Sequence, residues 1–340
     1  MSREKLKIIY YGEGTYNETT QMTDDVFKKP GFFPQRRDHI FHKLTQMGHE
    51  VIMNKIPEEV SRLKSFNVKC DPDCIYVTDN PMVAQNLERI DVFDWIDWYT
   101  EMTEKEFGIG CKQAQKMKIA EDFVLQNAKY MIAQGEYIAS DLQMRGWKSD
   151  ITVIPNGVDT NRFTSPATLS NLKQPISLVY VGKLTEWYRD IWHFINTVED
   201  MSGAAKLHIY GAGSMLESMK EEYLRHTIIH GPVPFEEVST VMSQHDIAVF
   251  PVDDDSPCVI PEYFTMGLPV IGLAGTHGRL RALIDPSVGF VVQRGGILQA
   301  IQILRNEKTY KEFQETCIKK SQLLTWDKMA VAFEEVLCTV

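Results

Sequence analysis

Short apolar runs alternate with longer stretches of helical period along almost the whole chain, a pattern that admits little besides parallel sheets flanked by helices. KLKIIYYG (5–12) reads as a buried strand, and HIFHKLTQMG (39–48) as an amphipathic helix stopped at Gly48. HEVIMN, DCIYVT, NAKYMIA and SDITVIP follow as strands, with AQKMKIAEDFVLQ among the helices between them. The stretch TSPATLSNLKQP (164–175) then loses periodicity and is rich in Ser, Thr and Pro, as linkers are. The alternation restarts with ISLVYVG, AKLHIYGAG, HTIIHGPV, DIAVFPV, LPVIGLAG and VGFVVQ. The expectation is an α/β chain of two doubly wound Rossmann-like domains, 1–165 and 176–322, facing across a cleft, followed by a helical segment, 323–340. In open sheets of this kind ligands sit beyond the carboxyl ends of the strands, so the loops after strands are where chemistry is expected.

Composition narrows the function classes. A chain of 340 residues with 44% apolar and 24% charged residues has enough apolar material for two cores. Its net charge of −10 opposes attraction to phosphate backbones, which argues against a nucleic-acid partner. MSREKLKIIYYGEG lacks the apolar core of a signal peptide, and no apolar run approaches the roughly 20 residues that span a bilayer. The six cysteines are scattered; Cys70 and Cys74 are close, but no second Cys or His pair completes a zinc set. A cytoplasmic protein with reduced thiols and no metal site is the expectation.

Four post-strand loops carry unusual residues. ITVIPNGVDTNRF (151–163) leaves a strand through Pro155 into an Asn156-Gly157 turn. YGAGSMLESM (210–219) turns through Gly211 and Gly213 into a helix, which can bring backbone N–H groups to a ligand or can be a plain turn. HGPVPFEEVSTVMSQHDIAVFP (230–251) carries Val233 between strand and helix. DDDSPCVIPEYFTMGLPVIG (253–272) holds Asp254, Pro257 and Glu262 ahead of a Gly-Leu-Pro turn. Glu262 can equally be an ordinary first-turn helix glutamate, and Asp253 and Asp255 read as solvated residues or caps rather than metal ligands.

Taken together these stretches resemble the GT-B glycosyltransferases, particularly family 4 and its relatives, in which two carboxylates spaced E-x7-E precede a Gly-x-Pro-Val strand. Asp254 and Glu262 stand at those positions, with aspartate in the first. QRRDHIFHKLTQMGHEV (35–51), VIPNGVDTNRF and TWDKMAVAFEEVL extend the resemblance over most of the chain, the last as a C-terminal helix crossing back to the N-domain. QRR, DVFDWIDW and GKLTEWYRDI are further similar to the glucuronosyltransferases of bacterial surface polysaccharides.

The resemblance implies a donor that is a nucleoside-diphosphate sugar, UDP- or GDP-linked, with no tightly bound cofactor. The acceptor would be a hydroxyl of a saccharide, a lipid-linked or another molecule, at the inner face of a membrane if contact there is peripheral. Glu262 would hold the ribose hydroxyls, Asp254 would lie near the sugar, and Lys183, Arg189, Gly182, Gly211, Gly213, Val233 and Pro257 would line the donor site. A vicinal diol suits a carboxylate, whose charge-assisted bonds are stronger than neutral ones. The family sets an Arg after the first glycine of the second domain and a Lys five positions later, where this chain has Lys183 and Tyr188, with Arg189 one residue late. Trp187 and Tyr188 read as packing residues, and Glu13 and Glu18 in the first glycine loop would repel phosphates. Asp94 and Asp97 end a strand of the first domain, and an inverting transfer would need a base there, with Asp97 the candidate; a retaining transfer would not. Other readings stay open: a nucleotide-sugar epimerase, a DNA-modifying GT-B enzyme, or a non-catalytic sugar-nucleotide binder.

Overall fold

The computed structural model describes residues 5–13, 19–21, 35–56, 68–185, 190–275 and 277–340. The chain divides into two compact units, one of Met1–Pro155 with Trp326–Val340 and the other of Asn156–Thr325.

The first unit is built on a seven-stranded sheet. Its strands are β1 (Lys7–Glu13), β2 (Thr19–Gln21), β3 (Glu50–Ile56), β4 (Ile75–Thr78), β5 (Ile90–Trp95), β6 (Ala128–Ala133) and β7 (Ile151–Val153), in the order β2-β3-β1-β4-β5-β6-β7. All neighbours are parallel except β2, which runs antiparallel to β3 at one edge. Helices α1 (Arg36–Gln46), α2 (Pro81–Ala84), α3 (Tyr99–Phe107), α4 (Lys112–Asn127) and α5 (Glu136–Met144) connect them. Strand β5, IDVFDW, is buried at all six positions, two of them carboxylates. Charges survive there because each is paired. Asp91 takes Arg89 at 2.9 Å and Lys129 at 3.3 Å, and Arg36 grips both Asp94 oxygens at 2.9 and 3.0 Å.

The second unit has a six-stranded, all-parallel sheet. Its strands are β8 (Ile176–Val181), β9 (Ala205–Tyr210), β10 (Thr227–Gly231), β11 (Ile247–Phe250), β12 (Val270–Leu273) and β13 (Gly289–Val292), in the order β10-β9-β8-β11-β12-β13. Helices α6 (Ile191–Asp200), α7 (Leu216–Glu221), α8 (Val238–Met242), α9 (Val259–Thr265), α10 (Ile297–Leu304) and α11 (Glu307–Ser321) follow in turn. Separate apolar clusters cover the two faces of this sheet, one built with α8 and α9, the other with α6 and α10. With both faces covered, β11 and β12 are buried end to end, which is why they read as continuous apolar runs.

The boundary between the units falls at Pro155, not near residue 165. Val158 and Phe163 are buried in the second unit's core, and Asn156 is tied to Ser256 by bonds of 2.9 and 2.6 Å. The last helix, α12 (Trp326–Leu337), belongs to the first unit: Trp326, Met329, Phe333, Val336 and Leu337 share a cluster with Ile40, Phe41 and Leu44 of α1. His39 stacks on Trp326 at 4.7 Å, and His49 meets the buried Glu334 at 2.8 Å, so both histidines are structural.

Candidate functional site

In the second unit the chain winds from β8 out through β9 and β10, then returns to the other side of β8 with β11. The topological switch point therefore lies between the carboxyl ends of β8 and β11, where open sheets of this kind bind ligands. Gly182 and Lys183 follow β8, and Asp254, Pro257 and Glu262 follow β11, so five of the residues singled out by sequence flank that point.

Backbone bonds knit the loop after β8 to the glycine loop after β9. Leu184 donates to Ala212 at 2.9 Å, Gly182 to Tyr210 at 3.0 Å, and Met215 back to Leu184 at 2.8 Å. The approach is close enough that a Cβ on Gly211 would stand 1.8 Å from the Gly182 oxygen, and one on Gly213 would stand 2.2 Å from the Leu184 oxygen. These glycines thus shape the loop that carries Lys183. Lys183 itself is exposed, while its carbonyl takes the Tyr180 hydroxyl at 2.7 Å. Among the described residues no carboxylate pairs with its ammonium group.

Glu262 sits in the first turn of α9, and the next residue fixes that helix to β8: the Tyr263 hydroxyl accepts from the Val181 amide at 2.8 Å. Burial pushes the Glu262 carboxyl up to about 8, opposed by Arg162 and reinforced by Asp159. The Arg162 guanidinium stacks on Phe235, 3.9 Å from the ring centre, and its Nη1 is buried without a partner among the described residues. Arg162 and Tyr263 escaped the sequence reading. Arg162 lies inside the quoted NGVDTNRF stretch, but nothing local links it to Glu262.

Of the three aspartates, Asp253 is a cap: its carboxylate takes the amides of His277, Gly278 and Leu280 at 3.1, 2.8 and 3.3 Å. Asp255 is buried rather than solvated, in the turn that Ser256 and Asn156 hold together. Asp254 accepts from the Ser256 amide at 3.3 Å, and burial raises its carboxyl, offset by that bond and by Arg279. Val233 is half-buried against the cluster under α8, and Pro257 is buried. Arg189, Trp187 and Tyr188 lie outside the described residues, as do the side chain of Glu13 and all of Glu18.

In the first unit the two strand-end aspartates part company. Asp94 is locked on Arg36, whose Nη1 also donates to the Pro155 carbonyl at 3.1 Å, so it is a structural ion pair and not a strand-end base. Asp97 is half-exposed past the end of β5; one carboxylate oxygen takes the Trp98 amide at 3.0 Å. Asp79, after β4, gathers the Tyr10 hydroxyl at 2.5 Å and Arg37 at 3.1 Å. No group of three or more His, Cys, Asp or Glu among the described residues is arranged to hold a metal ion.

The chain matches the family of glycosyl transferases group 1 over residues 175–306, within the second unit. No curated protein sequence matches it. Among solved structures it is similar to sucrose-phosphate synthase from Thermosynechococcus elongatus, with a TM-score of 0.71, 14% identity and 98% of each chain covered. It is also similar to Anabaena HepE in complex with UDP-glucose, with a TM-score of 0.69, 12% identity, 99% of this chain and 100% of that one covered. WaaG, a glycosyltransferase involved in lipopolysaccharide biosynthesis, gives a TM-score of 0.63 at 14% identity, over 97% of this chain and 98% of its own. The chain spans about half of TarM, covering 54% of it at a TM-score of 0.60 and 15% identity, with 78% of this chain matched. At these identities the likeness is one of fold. Residues 175–306 match the glycosyl transferases group 1 family, and the chain as a whole has the GT-B fold.

Proposed function

We propose that the chain transfers a sugar from a UDP- or GDP-linked donor to a hydroxyl of a saccharide or lipid-linked acceptor. The observation that carries this reading is the gathering of Gly182, Lys183, Asp254, Pro257 and Glu262 around the switch point of the second sheet, in a domain of a glycosyltransferase family. UDP-glucose in Anabaena HepE supports a nucleotide-sugar donor.

In this reading Glu262 accepts both ribose hydroxyls, and the exposed Lys183 meets the diphosphate. Asp254 lies near the sugar, and Val233 and Pro257 line the base and sugar ends. Lys183, with Arg189 from the neighbouring segment, stabilises the negative charge that grows on the leaving diphosphate, and the chemistry is positioning plus electrostatics. The anomeric configuration is retained, and the leaving phosphate takes the acceptor proton. Asp97 then has no proton to remove, since a base acting in the transition state is worth 10²- to 10⁴-fold.

Release of nucleoside diphosphate from a panel of UDP- and GDP-sugars, with and without saccharide and lipid-linked acceptors, tests the activity. Turnover that depends on acceptor supports transfer; none from any donor contradicts it, and release without acceptor favours the epimerase alternative. Asp97→Asn should lose less than about tenfold in turnover, because the base term of 10²- to 10⁴-fold is absent. A loss nearer a thousandfold with an inverted product would make Asp97 the base.

A further inference from the structure

Three histidines gather at one edge of the second sheet. His208 lies on β9, His230 on the edge strand β10, and His245 in the turn that joins α8 to β11. A register shift in β10 falls at His230, whose ring stacks on Tyr210 of β9 with 4.1 Å between centroids. His208 Nδ1 lies 3.0 Å from His230 Nε2, and the His208 and His245 rings are 4.7 Å apart. His245 is buried: its Nδ1 meets the Ser177 hydroxyl of β8 at 2.7 Å, and its Nε2 has no partner among the described residues.

This arrangement has room for few protons. In the His208–His230 bond one nitrogen carries the hydrogen and the other accepts it, so a second proton would set two N–H groups head to head. A proton on His245 would leave a buried, charged N–H without an acceptor. The lysines that act on the cluster, Lys206 of β9 and Lys173 ahead of β8, oppose a further positive charge. Helix α8 has no titratable side chain, and the Asp246 carboxylate beside His245 is taken up by the amides of Ser177 at 2.8 Å and Lys173 at 3.4 Å. Burial first, then the neighbouring imidazoles and lysines, holds His208 down to about 4 and His245 to about 3; burial lowers His230 as well.

The cluster sits directly under the glycine loop. Gly211 donates to Gly231 at the end of β10 at 2.9 Å, and Gly182 donates to Tyr210 at 3.0 Å, so the two outer strands hold the loop that carries Lys183. We propose that His208, His230 and His245 form a proton-operated latch: while neutral they hold β9, β10 and the glycine loop together, and added protons open that edge and free the loop. Above about pH 6.5 the imidazoles are neutral whether the edge is closed or open, and the latch is shut. As pH falls from there towards 4, the open form takes up protons that the closed form refuses, so opening grows. An opened loop no longer positions Lys183 for a diphosphate; that last step rests on the reading of the donor site above.

Amide hydrogen exchange of the full chain at pH 7.5 and pH 5.5, corrected for intrinsic rates, tests the latch. A freed imidazole titrates near 6.5, so at the lower pH each of the two buried histidines favours opening about tenfold, and both together roughly a hundredfold. The amides of β9 and β10, with those of Gly182, Leu184 and Gly211, should lose about that much protection, while β12 and β13 at the other end of the sheet keep theirs. H208Q/H245Q cannot take up these protons and should show no such loss. Equal changes at both ends of the wild-type sheet, or none at the β9–β10 edge, overturn the proposal whether or not the variant folds. UDP or GDP at 100 times its dissociation constant should restore protection at pH 5.5 about a hundredfold. If a diphosphate binds and the edge opens as readily with it as without it, the release of the loop is overturned. If neither binds while the edge still opens in acid, the latch stands and the transferase reading is contradicted instead.

Discussion

The Glu262 carboxyl, raised to about 8 from 4.5, ties stability to pH in a definite direction. Below about 4.5 it is protonated folded or unfolded, and its full contribution to stability is present. As pH rises from there towards 8 the unfolded chain gives up the proton while the folded one keeps it, so stability falls. Glu262→Gln cannot ionise and should flatten that stretch of the profile, by on the order of a few kcal/mol between pH 5 and pH 8. Denaturant unfolding of both proteins at the two pH values checks this; parallel profiles would contradict it. If ribose binds the charged form, nucleotide binding near pH 7 also releases a proton, read as a buffer-dependent enthalpy. The spacing of Asp254 and Glu262 was legible in the sequence because both lie on one post-strand segment. The pull of Arg162 on Glu262 was not, since only the fold brings the NGVD turn to α9.

At the scale of elements, the strands of the second unit were legible because burial on both faces leaves an unbroken apolar run. The Gly-x-Gly stretch was legible only as a turn. Its reason, contact with the backbone of the preceding βα loop, depends on a parallel neighbour that no local pattern reveals. Gly213→Ala would set a methyl 2.2 Å from the Leu184 oxygen, and neither partner is a side chain that can swing away. The variant should lose roughly 1–3 kcal/mol of stability and weaken binding of nucleoside diphosphate by moving the Lys183 loop. Urea unfolding with a nucleotide titration checks both, and an unchanged protein would mean the loop yields freely. Helix α1 shows the opposite kind of surprise. Its Arg36, Asp38, His39 and His42 look like a polar face, yet all are buried: Arg36 is bonded to Asp94, Asp38 takes the Gln35 amide, and His39 is stacked on Trp326 of α12, from the far end of the chain.

For the whole molecule, the chain leaves its first unit at Pro155 and returns to it at Trp326, so the first core is complete only when the last helix is in place. Phe333, buried among Phe41 and the β1–β3–β4 strands, is the test residue. Phe333→Ala should destabilise the first unit by about 3–5 kcal/mol while leaving the second unit's nucleotide affinity unchanged. A proteolysis or thermal-melt profile that resolves the two units, combined with a nucleotide titration, checks the separation; equal loss in both would mean they unfold as one body. The two-domain reading was visible in the restart of alternation after the linker. The boundary was misplaced by the loss of periodicity after residue 164, because Val158 and Phe163 join the second core from a stretch with no regular element of its own.

The central claim is that the switch point of the second sheet holds a nucleoside diphosphate through Glu262 and Lys183. Calorimetric titration of UDP and GDP, and of the corresponding nucleosides, into wild type, Glu262→Gln and Lys183→Ala tests it most directly. The account predicts that one of the two diphosphates binds the wild type. Glu262→Gln should weaken diphosphate and nucleoside alike, by about 1–3 kcal/mol for a lost charge-assisted pair. Lys183→Ala should weaken the diphosphate much more than the nucleoside, since its ammonium meets only phosphate. Binding of neither diphosphate to the wild type, or binding that both substitutions leave unchanged, would contradict the account.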